Sequence, residues 1–122
     1  MTAEFEEMIR EFNINLAVMR PLYESILDQV HFTCPVKVTT GKSNVDGIGI
    51  FTKCAVKRGD TIAPVRESGR RTPAGRYTNH SNNPNAEMVT HEGNIFLVAC
   101  QDIAEAMEVF VDYRQVWLTV RR

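Results

Sequence analysis

Near Cys34 the apolar pattern of this chain changes period, and that change limits the fold more than any other feature. Before it, Phe5, Met8, Ile9 and Phe12 recur at helical spacing with Glu4, Glu6, Glu7 and Glu11 between them, the stripe of an amphipathic helix. Thr2 is placed to cap that helix, and the acidic first turn suits its dipole. Pro21 suits the first turn of a second helix, on which Leu22, Ile26 and Val30 share one face. That stripe reads as a packing surface, with a dimer surface as the alternative. After Cys34 no helical stripe of this kind recurs.

From there the chain reads as short strands and turns. Val36-Lys37-Val38-Thr39 alternates, residues 41–47 are a polar link, and residues 48–55 are the next strand candidate. Lys57-Arg58-Gly59-Asp60 is a turn by composition. Thr61-Ile62-Ala63-Pro64-Val65 carries a proline and is therefore expected at a sheet edge. Residues 66–75, with Arg66, Arg70, Arg71, Gly69, Pro73 and Gly75, read as a basic, flexible loop. Ala86-Glu87-Met88-Val89-Thr90 and Ile95-Phe96-Leu97-Val98-Ala99 flank His91-Glu92-Gly93-Asn94, a hairpin signal. Residues 101–107 connect to a last apolar run that ends in Asp112-Tyr113.

The 122 residues are one domain's worth of chain, and 43% hydrophobic with 24% charged residues is an ordinary globular composition. Cys34, Cys54 and Cys100 are scattered and odd in number, with no C-x-x-C pair, so neither a disulfide framework nor a paired-cysteine zinc site is expected. Three reduced thiols in or near the core are the expectation, and no metal. The acidic start, Met1-Thr2-Ala3-Glu4-Phe5-Glu6-Glu7, is not a leader, and no apolar run is long enough to span a membrane. A soluble intracellular protein follows, cytoplasmic or, in a eukaryotic host, chromatin-associated. A net charge of −1 gives no global attraction to nucleic acid, and the arginines at 66, 70, 71 and 76 lack interleaved aromatics, so nucleic acid is not an expected partner.

Chemistry concentrates in Arg76-Tyr77-Thr78-Asn79-His80-Ser81-Asn82-Asn83-Pro84-Asn85, ten residues with four Asn and no aliphatic side chain. Asn79, His80 and Ser81 lie between segments that should be buried, so they need partners. An asparagine amide offers two donors and an acceptor, enough to read several groups of a ligand. Gly47 and Gly49, at the mouth of a strand in Gly47-Ile48-Gly49-Ile50-Phe51, allow close backbone approach or simply a tight turn. Asn82 and Asn83 suit a turn.

These three segments, in this order, resemble the signature of the SET-domain protein methyltransferases: G-x-G, then N-H-S-x-x-P-N, then E-x-x-x-D-Y ending a strand. The resemblance covers residues 36–117, with 1–33 left as an N-terminal helical extension and 34–122 as the SET-like domain. It implies a mostly β fold of the β-clip type, with short strands in small sheets and a knot-like chain crossing to which the Pro-Asn stretch contributes, beside the N-terminal helices that periodicity predicts. It implies S-adenosylmethionine as cofactor, bound by Gly47, Ile48, Gly49, Asn79, His80, Tyr113 and Trp117, the last by stacking on the adenine as in some family members, with a simple packing role as the alternative. Tyr113 is the implied catalytic residue and Asp112 a structural one. The substrate would be a protein bearing a lysine, on a histone or elsewhere, and a homodimer would match the small members of the family.

Three departures bear on substrate more than on cofactor. Residues 61–78 are short where the family inserts part of its peptide groove. The family's Y-x-G after the G-D turn is replaced by Pro64-Val65-Arg66-Glu67-Ser68-Gly69, and the glycine before the last strand is missing from Ile103-Ala104-Glu105-Ala106-Met107-Glu108. The alternative to an active enzyme is therefore a catalytically weak SET-like module that binds cofactor or a protein partner.

Overall fold

In the computed structural model, which describes residues 3–12 and 36–115, the alternating segments become short strands. In chain order the described elements are helix α1 (Ala3–Phe12), strands β1 (Val38–Lys42), β2 (Ile48–Thr52), β3 (Thr61–Glu67) and β4 (Arg70–Arg71), helix α2 (Pro73–Tyr77), and strands β5 (Asn79–His80), β6 (Ala86–His91), β7 (Asn94–Ala99) and β8 (Phe110–Val111). The second helix expected from Pro21, with Leu22, Ile26 and Val30, lies outside the described residues, as do Thr2, Cys34 and Trp117.

β1 and β2 form an antiparallel hairpin, in register from Val38 opposite Thr52 to Lys42 opposite Ile48. β4, β3, β7 and β6, in that order, form a four-stranded antiparallel sheet. β5 and β8 pair in parallel, Asn79 beside Phe110 and His80 beside Val111. A parallel pair needs a long crossover, and here the crossover contains the β6–β7 hairpin. Ile50, Ile62, Leu97, Val109 and Val111 are fully buried where the sheets meet. The fold is thus mostly β in small sheets, as the periodicity and the motifs indicated, with the expected turn at residues 57–60 and the expected hairpin at 91–94.

One local expectation is refined and one corrected. β3 lies between β7 and β4 in the sheet order, but β4 meets it only at Arg66 and Glu67, so the segment 61–65 has a strand on one side alone, as its proline indicated. Register shifts fall on both sides of Pro64, so its missing N–H stands in an irregular ladder. Its carbonyl accepts from the Thr72 hydroxyl at 2.5 Å. Residues 66–75 are not a flexible loop. They complete the β3–β4 hairpin around Ser68-Gly69 and then enter α2, where buried Thr72 is the N-cap, its Oγ1 accepting from Gly75 N at 3.3 Å, and Pro73 begins the helix.

The thiols also differ from expectation. Cys54 is exposed rather than packed in the core, because it sits just past the end of β2 where the chain turns outward. Cys100 is half-buried, and burial pushes its thiol pKa up, with the nearby Glu87 charge acting the same way.

Candidate active site

The segment from Glu108 to Val111 is hydrogen-bonded to three distant parts of the chain. Val109 N donates to the Ile50 carbonyl of β2 at 2.8 Å. β5 pairs along one side, with Ser81 N donating to the Val111 carbonyl at 3.0 Å. On the other side Asn85 acts as a one-residue strand: its Oδ1 accepts from Phe110 N at 2.8 Å, its Nδ2 donates to the Glu108 carbonyl at 2.9 Å, and its backbone N donates to the Phe110 carbonyl at 3.2 Å. These bonds bring residues 43–50, 78–85 and 108–113 into one place.

His80 is 4% exposed, and both ring nitrogens are engaged inside the protein. Nδ1 accepts from Tyr113 N at 2.9 Å, which puts the ring proton on Nε2, where Asn82 Oδ1 lies 3.2 Å away to receive it. Asp112 Oδ1 is 3.7 Å from Nδ1, but a nitrogen that is accepting carries no proton to share, so this approach is not an ion pair. Asp112 instead accepts from Arg114 N at 2.9 Å and shapes the turn after β8. The His80 ring packs against the Tyr113 ring, centroids 5.2 Å apart and planes inclined at 47°. What His80 can present to a ligand is therefore its backbone. In a parallel pair alternate residues direct their N–H and C=O to opposite edges, and the Ser81–Val111 bond places those of His80 away from β8.

The Tyr113 hydroxyl donates to the Thr78 carbonyl at 2.6 Å. With its proton committed, the oxygen acts toward an incoming group as an acceptor.

Asn79, half-buried, spans from β5 to the turn between β1 and β2. Its Nδ2 lies 2.9 Å from Glu108 Oε2, 3.0 Å from the Asp46 carbonyl and 3.1 Å from Ser43 Oγ. The two glycines have structural reasons of their own. Gly47 adopts a φ of +51°, and a Cβ on Gly49 would sit 2.5 Å from Glu108 Oε2. Between them Ile48 is 48% exposed, and nearby Val45 is 46% exposed, an apolar surface beside the glycines.

Glycines 47 and 49, Asn79, His80 and Tyr113 are thus brought to one region, and Trp117 lies outside the described residues. Two residues central to this arrangement carried no assigned role in the sequence, and a third was read only as a turn residue. Ser43 and Glu108 bond each other and Asn79, and Asn82 is more than a turn residue, since its Oδ1 also accepts from Arg114 Nη1 at 2.7 Å. Glu108 opens the E-x-x-x-D-Y motif, a signal that its side chain had a function. α1 reaches the same region: Glu4 Oε2 accepts from Asn82 N at 2.7 Å, and Glu7 Oε1 lies 3.9 Å from Arg114 Nη2. Among the described residues no cluster of three or more His, Cys, Asp or Glu is placed to hold a metal ion, and no helix is long and apolar enough to cross a membrane.

Residues 66–114 match the family model of the SET domain. No curated protein matches the sequence. Among solved structures, one similar in fold is a Plasmodium falciparum protein described as a candidate histone methyltransferase. It is 23% identical, with a TM-score of 0.56, and the match covers 63% of this chain and 96% of that one. Another is a humanized mutant of the Chaetomium thermophilum Polycomb Repressive Complex 2 bound to the inhibitor GSK126. It is 21% identical, with a TM-score of 0.54, and the match covers 66% of this chain but 15% of that one.

Proposed function

We propose that this chain, which matches the SET-domain family model over residues 66–114 and is similar in fold to a SET-type structure, is a SET-domain protein and an S-adenosylmethionine-dependent protein-lysine N-methyltransferase. The observation that carries the proposal is the meeting of three segments distant in sequence. Glu108 Oε2 takes the Asn79 amide at 2.9 Å and closes against Gly49, while Tyr113 is anchored on Thr78, next to Asn79 in the chain.

The residues fit the cofactor in kind. An adenine and a methionine moiety need apolar cover, and Val45 and Ile48 present it beside Gly47. They need polar groups at fixed positions, and the backbone of His80 and the cluster around Asn79 supply them. Trp117 and the hydroxyl of Tyr113 complete the proposed set. When bound, the cofactor supplies an electrophilic methyl group on a sulfonium.

The chain's own work is positioning. Tyr113, its proton held by Thr78, offers its oxygen as acceptor to polarised C–H groups and to the target amine, and so orients both. A free lysine, with a pKa near 10.4, is neutral in roughly one molecule per thousand at neutral pH, and desolvation next to a positive charge lowers that pKa. No strong general base is then required of the chain.

One observation favours a second reading, a SET-like module without efficient turnover. Residues 61–78 are used up by β3, β4 and α2, which leaves no inserted segment to wall a peptide groove. Calorimetry with S-adenosylhomocysteine followed by a labelled-methyl assay on histones and host lysate separates the readings. Binding with transfer to lysine is expected. Binding without transfer selects the module, and no binding overturns both.

A further inference from the structure

A closed ring of hydrogen bonds joins the three motif segments, and the Glu108 carboxylate is its hub. Ser43 Oγ lies 2.8 and 2.9 Å from the two carboxylate oxygens and donates to them. The same Oγ accepts from Val45 N at 3.0 Å and Asp46 N at 3.2 Å, and Ser43 N donates to the Gly47 carbonyl at 2.8 Å, so the whole turn is shaped around one hydroxyl. Asn79 Nδ2 closes the ring by reaching Glu108 Oε2, Ser43 Oγ and the Asp46 carbonyl. These bonds cross 65, 36 and 29 residues of sequence, so no local preference holds them together.

We propose that Glu108 is a positioning residue of the methyl-transfer site: its carboxylate holds Asn79 and the turn at residues 43–49 in the arrangement that receives the cofactor. The assignment rests on the methyl-transfer function proposed above. The chemistry selects a carboxylate. Both neighbours, Ser43 Oγ and Asn79 Nδ2, donate, and only an acceptor-only group with several lone pairs satisfies both. A glutamine would turn an NH2 group toward one donor. An aspartate, shorter by one methylene, would not reach both. Gly49 belongs to the same device, since a methyl group there would occupy the space of Oε2 and of the carboxylate carbon, 2.5 and 2.9 Å away. Ser43, at the centre of the ring, is 8% exposed.

The test measures S-adenosylhomocysteine affinity by calorimetry, thermal midpoint, and the side-chain amide resonances of Asn79 in the ligand-free protein. Glu108→Gln should move the Asn79 amide resonances and weaken the ligand about tenfold. Gly49→Ala should weaken it similarly in the wild-type background and cost much less in a Glu108→Ala background, because the added methyl clashes chiefly with the carboxylate that Glu108→Ala removes. A folded Glu108→Gln protein with a lower midpoint but wild-type affinity overturns the assignment, as does additivity of Gly49→Ala and Glu108→Ala. Where Glu108→Gln does not fold, Ser43→Ala removes one anchor and leaves the charge in place. About threefold weaker binding supports the assignment and unchanged affinity overturns it. Wild-type protein that fails to bind S-adenosylhomocysteine defeats the methyl-transfer function itself and the assignment with it, an outcome distinct from intact wild-type binding with an indifferent Glu108.

Discussion

The Tyr113 hydroxyl donates to the Thr78 carbonyl at 2.6 Å across 35 residues of sequence, and the Tyr113 backbone N–H donates to His80 Nδ1 at 2.9 Å. One residue therefore fastens both ends of the short strand β5, and its ring packs on the histidine in between. Tyr113→Phe keeps the ring and the backbone bond and removes the hydroxyl alone. The carbonyl of buried Thr78 loses its partner, so stability should fall by about 1–3 kcal/mol. S-adenosylhomocysteine affinity should change little, while turnover should fall by roughly 10²-fold, about 2.7 kcal/mol of barrier. Wild-type turnover in the folded variant would remove the hydroxyl from the mechanism.

Asn82 decides which way the His80 ring is held. Its Oδ1 receives His80 Nε2 at 3.2 Å and Arg114 Nη1 at 2.7 Å. Asn82→Ala leaves a buried imidazole N–H without that acceptor and should cost about 1–3 kcal/mol. Asn82→Asp keeps an acceptor and should retain most of the wild-type stability. Equal midpoints for Ala and Asp in urea unfolding would show that the acceptor is irrelevant. Glu7, whose carboxylate is largely solvent-exposed at 3.9 Å from Arg114, should tolerate Ala within about 1 kcal/mol.

What was legible in the sequence, and what was not, follows from the range of the forces involved. The β6–β7 hairpin was readable because alternation and a Glu92-Gly93 turn, both residues at positive φ, are local properties. That the glycines, Asn79, His80 and Tyr113 lie in one region was foreshadowed by the motif order, because motif spacing records contacts that local patterning hides. Pro64 was a fair signal for its own segment, where only β7 pairs, but it could not show that β4 joins the far end of the strand at Arg66 and Glu67. Residues 66–75 looked loop-like by composition, although Thr72-Pro73 is the sequence of a helix cap and first turn. Ser43 and Glu108 meet across 65 residues, and nothing in either neighbourhood announces the other.

Ala106 stands at a φ of +62°, a backbone conformation that favours glycine. The conformation is enforced from Thr52: Ala106 N donates to the Thr52 carbonyl at 3.0 Å, Met107 N to Thr52 Oγ1 at 3.0 Å, and Thr52 Oγ1 to the Ala104 carbonyl at 2.7 Å. A left-handed backbone costs a Cβ-bearing residue roughly 1–2 kcal/mol, of which glycine's extra unfolded-state freedom returns part. Ala106→Gly should raise stability by about 0.5–1 kcal/mol. The check is a higher urea midpoint at an unchanged slope. A lower midpoint would mean that the turn is not strained.

Asp60 sets the acid limb of stability for the turn before β3. Its Oδ2 accepts from Lys57 N at 3.1 Å and lies 3.5 Å from Lys37 Nζ. The Lys57 backbone N–H, with the charges of Lys37 and Lys57, holds the Asp60 carboxyl below the ordinary aspartate value, against the opposing effect of desolvation. The turn is tied into the sheet by Gly59 N on the Ala99 carbonyl at 2.8 Å and Ala99 N on the Asp60 carbonyl at 2.9 Å, so a loosened turn is felt at the end of β7. A carboxyl whose folded pKa lies below its unfolded value stabilises the protein fully above the unfolded value, near 3.9, and loses that contribution as pH falls through the folded one. The Asp60 contribution to the thermal midpoint of wild-type protein should therefore be lost as pH falls below the ordinary aspartate range. Asp60→Asn should be less stable than wild type at pH 7 and should lose less on acidification, so that the two curves converge at low pH. A constant gap between them across that range would show that Asp60 titrates alike in the folded and unfolded chain, and would remove it as the source of acid sensitivity.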